Sequence, residues 1–310
     1  MPISTTDFKD KIWKYYEENK RDLPWRRTKD PYRILVSETM LQQTQVSRVI
    51  PKYESFLKTF PTLEALAKAD QRTLLVQWQG LGYNRRALNL RKAAQAVMEQ
   101  HDGKIPKNKE TLMSLPGIGQ STAGAVLNFA YNIPAAFIET NIRAVFLHFF
   151  FDEASSVSDK TVYELVDLTL DTEKPREWFY ALYDYGTMLK ATLGKRKTEL
   201  HQKSKHYSRQ SEFKGSNRQL RAAIVRLLVS VNEKSTGDIL GQMRQELGIG
   251  IQAKDVERNL KDLESEGFIQ KINRTEAKAT KKAARKADSK SSKEVDSKVT
   301  DLWKVAESGQ

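Results

Sequence analysis

The sequence contains no cysteine. Disulfides, thiolate nucleophiles and iron–sulfur clusters are therefore excluded, since each needs a cysteine sulfur. Histidine is scarce: there are four, at positions 101, 148, 201 and 206. Only His201 and His206 lie near each other, five apart in a basic stretch, so no metal site is expected. Long apolar runs are missing too. The longest, such as Ala135-Ala136-Phe137-Ile138, fall far short of the ~20 residues of a membrane-spanning helix. Residues 1–11 mix acids and bases with no apolar core, unlike a secretory signal. These absences point away from the membrane and fit a cytoplasmic location.

What is present is positive charge and helical periodicity. The 310 residues carry 52 Lys and Arg against 39 acids, a net +13. Such an excess favours a polyanionic partner, because each phosphate contact releases counterions, although a solubilising surface with a basic tail gives the same balance. The length suffices for two or three domains with cores of their own. Residues 1–194 hold nearly all the aromatics and read as helix after helix. Leu63, Leu66 and Ala67, then Leu74, Leu75 and Trp78, then Leu88, Leu90, Ala93, Ala94 and Val97 recur at helical spacing, and prolines mark the breaks. Residues 195–216 form a basic, polar connector. Residues 217–274 read as three helices and a β ribbon, a winged-helix-like unit: Ser235 caps the second helix, Gly248 ends it, and Phe268–Ile272 is a strand. Residues 275–310 are low in complexity and rich in Lys, Ala and Ser, so a disordered basic tail is expected, with Asp301-Leu302-Trp303-Lys304-Val305 docking weakly or hanging free. The fold class is mainly α.

The sharpest local signal is Leu115-Pro116-Gly117-Ile118-Gly119-Gln120-Ser121-Thr122-Ala123-Gly124. A helix over Lys109–Ser114 meets a Pro-Gly-x-Gly turn, and another helix begins near Ser121. The glycines allow close approach of an anion, and the helix start offers free N–H groups and the positive end of the dipole. Leu115, Gly117, Gly119 and Gln120 are thus candidate phosphate-binding residues that read backbone rather than sequence. Ala123, Gly124 and Ala125 are small enough for that helix to pack tightly.

With the hairpin stand four further segments: Arg21-Asp22-Leu23-Pro24-Trp25-Arg26, Ser37-Glu38-Thr39-Met40-Leu41-Gln42-Gln43, Trp78-Gln79-Gly80-Leu81-Gly82-Tyr83 and Asp184-Tyr185-Gly186. In order and spacing they resemble the helix-hairpin-helix (HhH-GPD) DNA glycosylases, and within them the MutY-type adenine glycosylases, over residues 5–192. The resemblance implies roles. Glu38 would protonate the purine, Gln42 and Gln43 would wedge into the stack, and Tyr83 would press beside the opposite base. Arg21, Leu23 and Trp25 would help line the base pocket, and Asn141 would help hold the reacting site. Ser121 stands where the lyase branch carries a nucleophilic lysine, which implies a monofunctional enzyme. A monovalent cation at the hairpin also fits the resemblance. The chemistry agrees. Adenine leaves poorly until protonated, so a carboxyl kept protonated in an apolar setting is needed, with a second carboxylate for the developing oxocarbenium charge. The base must also leave the stack first.

Three departures stand out. The family's catalytic Asp falls on Glu139, a longer arm. The cluster-binding cysteines are absent, and Lys195, Arg196, Lys197 and Lys203 are placed to supply phosphate contacts instead. Residues 217–274 do not resemble the family's 8-oxoguanine reader, and the acids on Lys254–Glu266 argue against deep insertion of that helix in a groove. The leading expectation is a monomeric glycosylase acting on duplex DNA at A·8-oxoguanine or A·G. A glycosylase for thymine or uracil opposite guanine and a non-catalytic DNA-binding protein are the alternatives.

Overall fold

The computed structural model describes residues 3–151, 156–194, 212–272 and 301–307. The chain divides into two compact units: Met1–Lys68 with Leu88–Arg209, and Ala69–Ala87 with Gln210–Gln310.

The described part of the first unit is helical. Its elements are α1 (Thr5–Asn19), α2 (Pro31–Leu41), α3 (Val46–Thr59), α4 (Leu63–Ala67), the body of α6 (Arg85–Gln100), α7 (Lys109–Ser114), α8 (Gln120–Tyr131), α9 (Thr140–Phe150), α10 (Asp159–Thr169) and α11 (Pro175–Thr192). Short polar side chains start these helices by accepting an orphan backbone N–H: Asp30 takes Tyr32 N at 2.9 Å, Asn108 takes Thr111 N at 2.9 Å, and Ser158 takes Thr161 N at 3.2 Å. An aromatic core joins α1, α9 and α11, with the Phe8 ring 5.1 Å from Phe146 and 6.0 Å from Trp178. The small residues of α8 bring it close to its neighbour: a Cβ on Gly124 would lie 2.6 Å from that of Phe137. α8 runs through the interior of the unit, buried from Thr122 to Ala130.

The second unit contains α5 (Gln71–Trp78), α12 (Asn217–Ser230), β1 (Lys234–Ser235), α13 (Thr236–Leu247), α14 (Ala253–Ser265), β2 (Ile269–Ile272) and β3 (Leu302–Val305). Ser235 caps α13 through Asp238 N at 3.1 Å, and Gly248 ends it at φ +118°. The sheet is antiparallel in the order β1-β3-β2, with Lys234 opposite Trp303 and Ile269 opposite Val305.

The expectation of a structureless tail over 275–310 therefore fails at 302–305, which form the middle strand of this sheet. Without β3, the two residues of β1 and the four of β2 would have no ladder to complete. Its alternation puts Trp303 and Val305 inside, and the indole N–H of Trp303 donates to Thr236 Oγ1 at 2.9 Å. Residues 273–300 and 195–211 lie outside the described residues, and with them most of the tail and Lys195, Arg196, Lys197 and Lys203.

The unit also extends beyond the expected 217–274 span, because α5 belongs to it. The Arg72 guanidinium donates to the carbonyls of Val229 at 2.6 Å and Val231 at 2.7 Å, satisfying the end of α12, and Gln71 Nε2 donates to Gly267 O at 2.7 Å. Glu266, the C-cap of α14, takes Arg221 at 2.8 Å within the unit.

Candidate active site

In the first unit, Glu38 projects from α2 and is half-buried. Burial dominates its titration and pushes its carboxyl up to about 8; a second carboxylate, Glu139, pushes the same way, while the Tyr183 hydroxyl and the Arg26 guanidinium oppose it. The surroundings are aromatic. Tyr183 O–H donates a long hydrogen bond to Glu38 Oε2 at 3.5 Å, and its ring meets Phe129 edge-on at 5.6 Å. Tyr180 stacks on Phe129 at 4.3 Å and lies under the Arg26 guanidinium at 4.4 Å. Burial and the Glu38 charge hold the Tyr183 hydroxyl well above its ordinary value, so it stays a proton donor. A carboxyl raised this far favours its neutral, proton-bearing form near neutral pH.

Glu139 has a different setting. It is the N-cap of α9, and its Oε1 accepts Asn141 N at 2.6 Å and Ile142 N at 2.9 Å. Oε2 faces the Asn141 amide Nδ2 at 3.2 Å. Burial dominates and raises its titration above the ordinary carboxylate value, with the Lys190 charge, the backbone N–H groups and the Asn141 amide opposing the rise. Two carboxyls thus lie within electrostatic reach with unequal support: one has aromatic walls and a hydroxyl, the other a helix start and a cation. Both carboxyls are raised by burial, and Glu139 has more groups opposing that rise than Glu38 has.

The residues around this pair are fixed from several elements. Arg21 and Arg26 converge on Asp184 of α11, which is 2% exposed. Arg21 Nε reaches it at 2.5 Å, and Arg26 takes both its oxygens at 2.7 Å. Leu23 and Trp25 are buried, Trp25 edge-on to Tyr53 at 5.6 Å, so they present little surface. Gln42 Nε2 donates to Thr122 Oγ1 of α8 at 3.1 Å, tying the end of α2 to the hairpin helix. Gln43 follows, exposed, at φ +55°, a left-handed backbone that costs a non-glycine residue energy.

The hairpin forms as its sequence suggests. Leu115 and Ile118 are buried, and Ile118 N donates to Leu115 O at 3.2 Å. Gly117 has φ +77°, and a Cβ there would strike that of Asn89 at 2.6 Å. Gly119 caps α8 without a side chain and faces open space, with Gln120 and the half-buried Ser121 in the first turn. An anion is offered backbone N–H groups there. Among the described residues no cluster of three or more acids or histidines could hold a metal ion.

Tyr83 lies in the second unit, 40% exposed at φ +47°, between Gly82 at φ +73° and the first turn of α6. The Arg86 guanidinium sits 5.6 Å from its ring and 5.4 Å from that of Trp78, and burial lowers the Arg86 titration to about 10. Arg218 of α12 donates to the Tyr83 hydroxyl at 3.3 Å.

Tyr183, Lys190 and the electrostatic role of Arg26 were not foreseen from the sequence. Tyr183, Gly186 and Lys190 share one face of α11 at i, i+3 and i+7, a spacing that could have singled them out.

Residues 36–169 match the family described as "HhH-GPD superfamily base excision DNA repair protein". Among curated proteins, the chain is 35% identical over 179 residues to the adenine DNA glycosylase of Buchnera aphidicola, covering 56% of this chain and 50% of that protein. It is 44% identical over 132 residues to that of Mycolicibacterium smegmatis (42% and 45%) and 33% over 193 residues to that of Homo sapiens (58% and 35%). The chain thus spans half or less of the length of these curated relatives. Among solved structures, it is similar to a thermostable thymine-DNA glycosylase, with TM-score 0.53 and 26% identity over 59% of this chain and 86% of that one. It shares its fold with an endonuclease III in a DNA complex, with TM-score 0.51 and 19% identity over 58% and 85%. No described helix is long and apolar enough to cross a membrane.

Proposed function

We propose that the chain is a DNA glycosylase of the HhH-GPD kind, the family that residues 36–169 match, and that it hydrolyses the N-glycosidic bond of adenine mispaired with 8-oxoguanine or guanine in duplex DNA. The observation that carries this reading is the unequal carboxyl pair. Glu38 gives its proton to a ring nitrogen of the flipped base. The C1′–N9 bond breaks with its electron pair leaving on the adenine, and the Glu139 carboxylate faces the positive sugar. Water adds at C1′, and its proton returns to Glu38, leaving an abasic site and a neutral base. The α7–α8 hairpin grips a phosphate and fixes the register. With Ser121 in the first turn of α8 there is no lysine there to form a Schiff base, so the product strand stays uncut until treated with alkali. Borohydride trapping at the level of a true lyase would contradict this.

The residues themselves move the proton and hold the charge, and with no cysteine in the chain no thiolate can hold an iron–sulfur cluster. The helix–strand–helix–helix–strand–strand order of the second unit supports a winged-helix reading for its C-terminal part, and a monomer acting on DNA needs no further partner for the chemistry.

Incubation with duplexes carrying A·8-oxoguanine, A·G, T·G and U·G, followed by alkali, tests the reading. Cutting at adenine alone is expected. The likeness to a thymine-DNA glycosylase supports the second reading, for which cutting at T or U would speak, and binding without cutting would refute catalysis.

A further inference from the structure

Lys190 lies in the site with no role in the chemistry described above. It is half-buried on α11, one turn beyond Gly186. Gly186 brings that helix against the start of α9, since a Cβ there would come within 2.7 Å of the Asn141 Cβ and carbonyl oxygen. At this close approach, Lys190 Nζ donates to Asn141 Oδ1 at 2.9 Å. An ammonium can only donate, so the amide oxygen must face Lys190 and the amide NH₂ must face away from it. That NH₂ points to Glu139 Oε2 at 3.2 Å, while Asn141 N holds Oε1 at 2.6 Å.

We propose that Lys190 is a positioning residue for base excision: through Asn141 it orients the Glu139 carboxylate. The proposal rests on the glycosylase reading. A carboxylic side chain longer by one methylene than the family's Asp has more ways to turn, and the Lys190–Asn141 pair removes that freedom. The same ammonium also counters the neighbouring acid. Among the described residues, the groups that face Glu139 are Glu38 from α2, Tyr183 and Lys190 from α11, and the N–H groups of Asn141 and Ile142 from α9. Lys190 is the cation of this set and pulls the Glu139 titration down.

The experiment uses the full chain with Lys190→Met and Lys190→Arg, and Lys190→Gln as the alternative should the Met variant not fold. Single-turnover adenine release from an A·8-oxoguanine duplex is measured from pH 5 to 9. In parallel, ¹³C-carboxyl glutamate NMR follows the titration of Glu139 in the free protein, assigned with Glu139→Gln. Lys190→Met should slow release at pH 7 by about 10-fold or more with duplex affinity within about 3-fold, a loss in kcat rather than in binding. The acid limb of the rate profile and the Glu139 titration should both move up by about one unit, and Lys190→Arg should restore most of each. A Met variant with the wild-type limb and wild-type Glu139 titration would overturn the proposal, as would an Arg variant as impaired as the Met variant. If the wild type releases no base from any duplex, the glycosylase reading fails, and the NMR shift still decides whether Lys190 governs Glu139.

Discussion

Asp184 and Glu38 are acids of the same helical unit, facing overlapping sets of neighbours, and they meet opposite fates. Asp184 accepts from Arg21 Nε, from both terminal nitrogens of Arg26 and from the Arg21 backbone N–H. Glu38 is offered one long hydrogen bond from a tyrosine. Arg26 is a neighbour of both, yet its guanidinium is spent on Asp184 and reaches Glu38 only through space. The difference shows how a protein makes a structural acid and a chemical acid from the same functional group. Saturation with donors makes a carboxylate a staple, and withholding them keeps a carboxyl able to give up a proton.

Substitutions can break this contrast. Glu38→Gln should give the largest effect, lowering single-turnover base release by on the order of 10³-fold with mispair binding retained, because the proton donor is gone. Glu139→Gln should fall close behind, at about 10²- to 10³-fold, since the amide cannot face the sugar charge as an anion does. Near-normal turnover in either would remove that residue from the mechanism.

Asp184→Asn should act through stability instead. It leaves two guanidiniums half-paired in a buried site and should cost about 3–5 kcal/mol in denaturant unfolding. A variant that unfolds like the wild type but has lost only its pH limb would reverse the roles assigned to the two acids.

The smallest effect sharpens the comparison through linkage. Glu38 is raised in the folded state from 4.5 to about 8. Below the unfolded value it is neutral in both states and costs nothing. As pH rises through that window, the unfolded chain gives up its proton first, so the wild type loses stability. Glu38→Gln should therefore match the wild type near pH 4 and exceed it increasingly as the pH rises to about 8, with no further change above that, as read from unfolding midpoints. A constant difference across pH would mean that Glu38 is not raised.

Features set by neighbours in sequence are legible from the residues alone. Lys109–Ser114, the Pro-Gly-x-Gly turn and the start of α8 follow from local turn and helix-start chemistry and appear within one residue of their expected limits. Ser235 and Gly248 delimit α13 for the same reason. Glu38 and Glu139 could be named, but their inequality could not, because it arises from the burial of Glu38 by elements distant in sequence and from Lys190, 49 residues from Asn141. β3 escapes a sequence reading because four residues after a long low-complexity stretch carry no signal of the strands they join. Likewise α5 gives no hint that Gln71 hydrogen-bonds a carbonyl 196 residues away. Leu23 and Trp25 sit in the expected segment, but the burial of Trp25 reflects packing on Tyr53 that the motif does not encode.

The most direct measurement is the titration of the Glu38 carboxyl itself, by ¹³C-glutamate NMR on the wild-type protein with Glu38→Gln for assignment. A transition near pH 8 is the predicted result; a transition at about 4 to 5, the range of an exposed glutamate, would contradict the assignment of Glu38 as the proton donor.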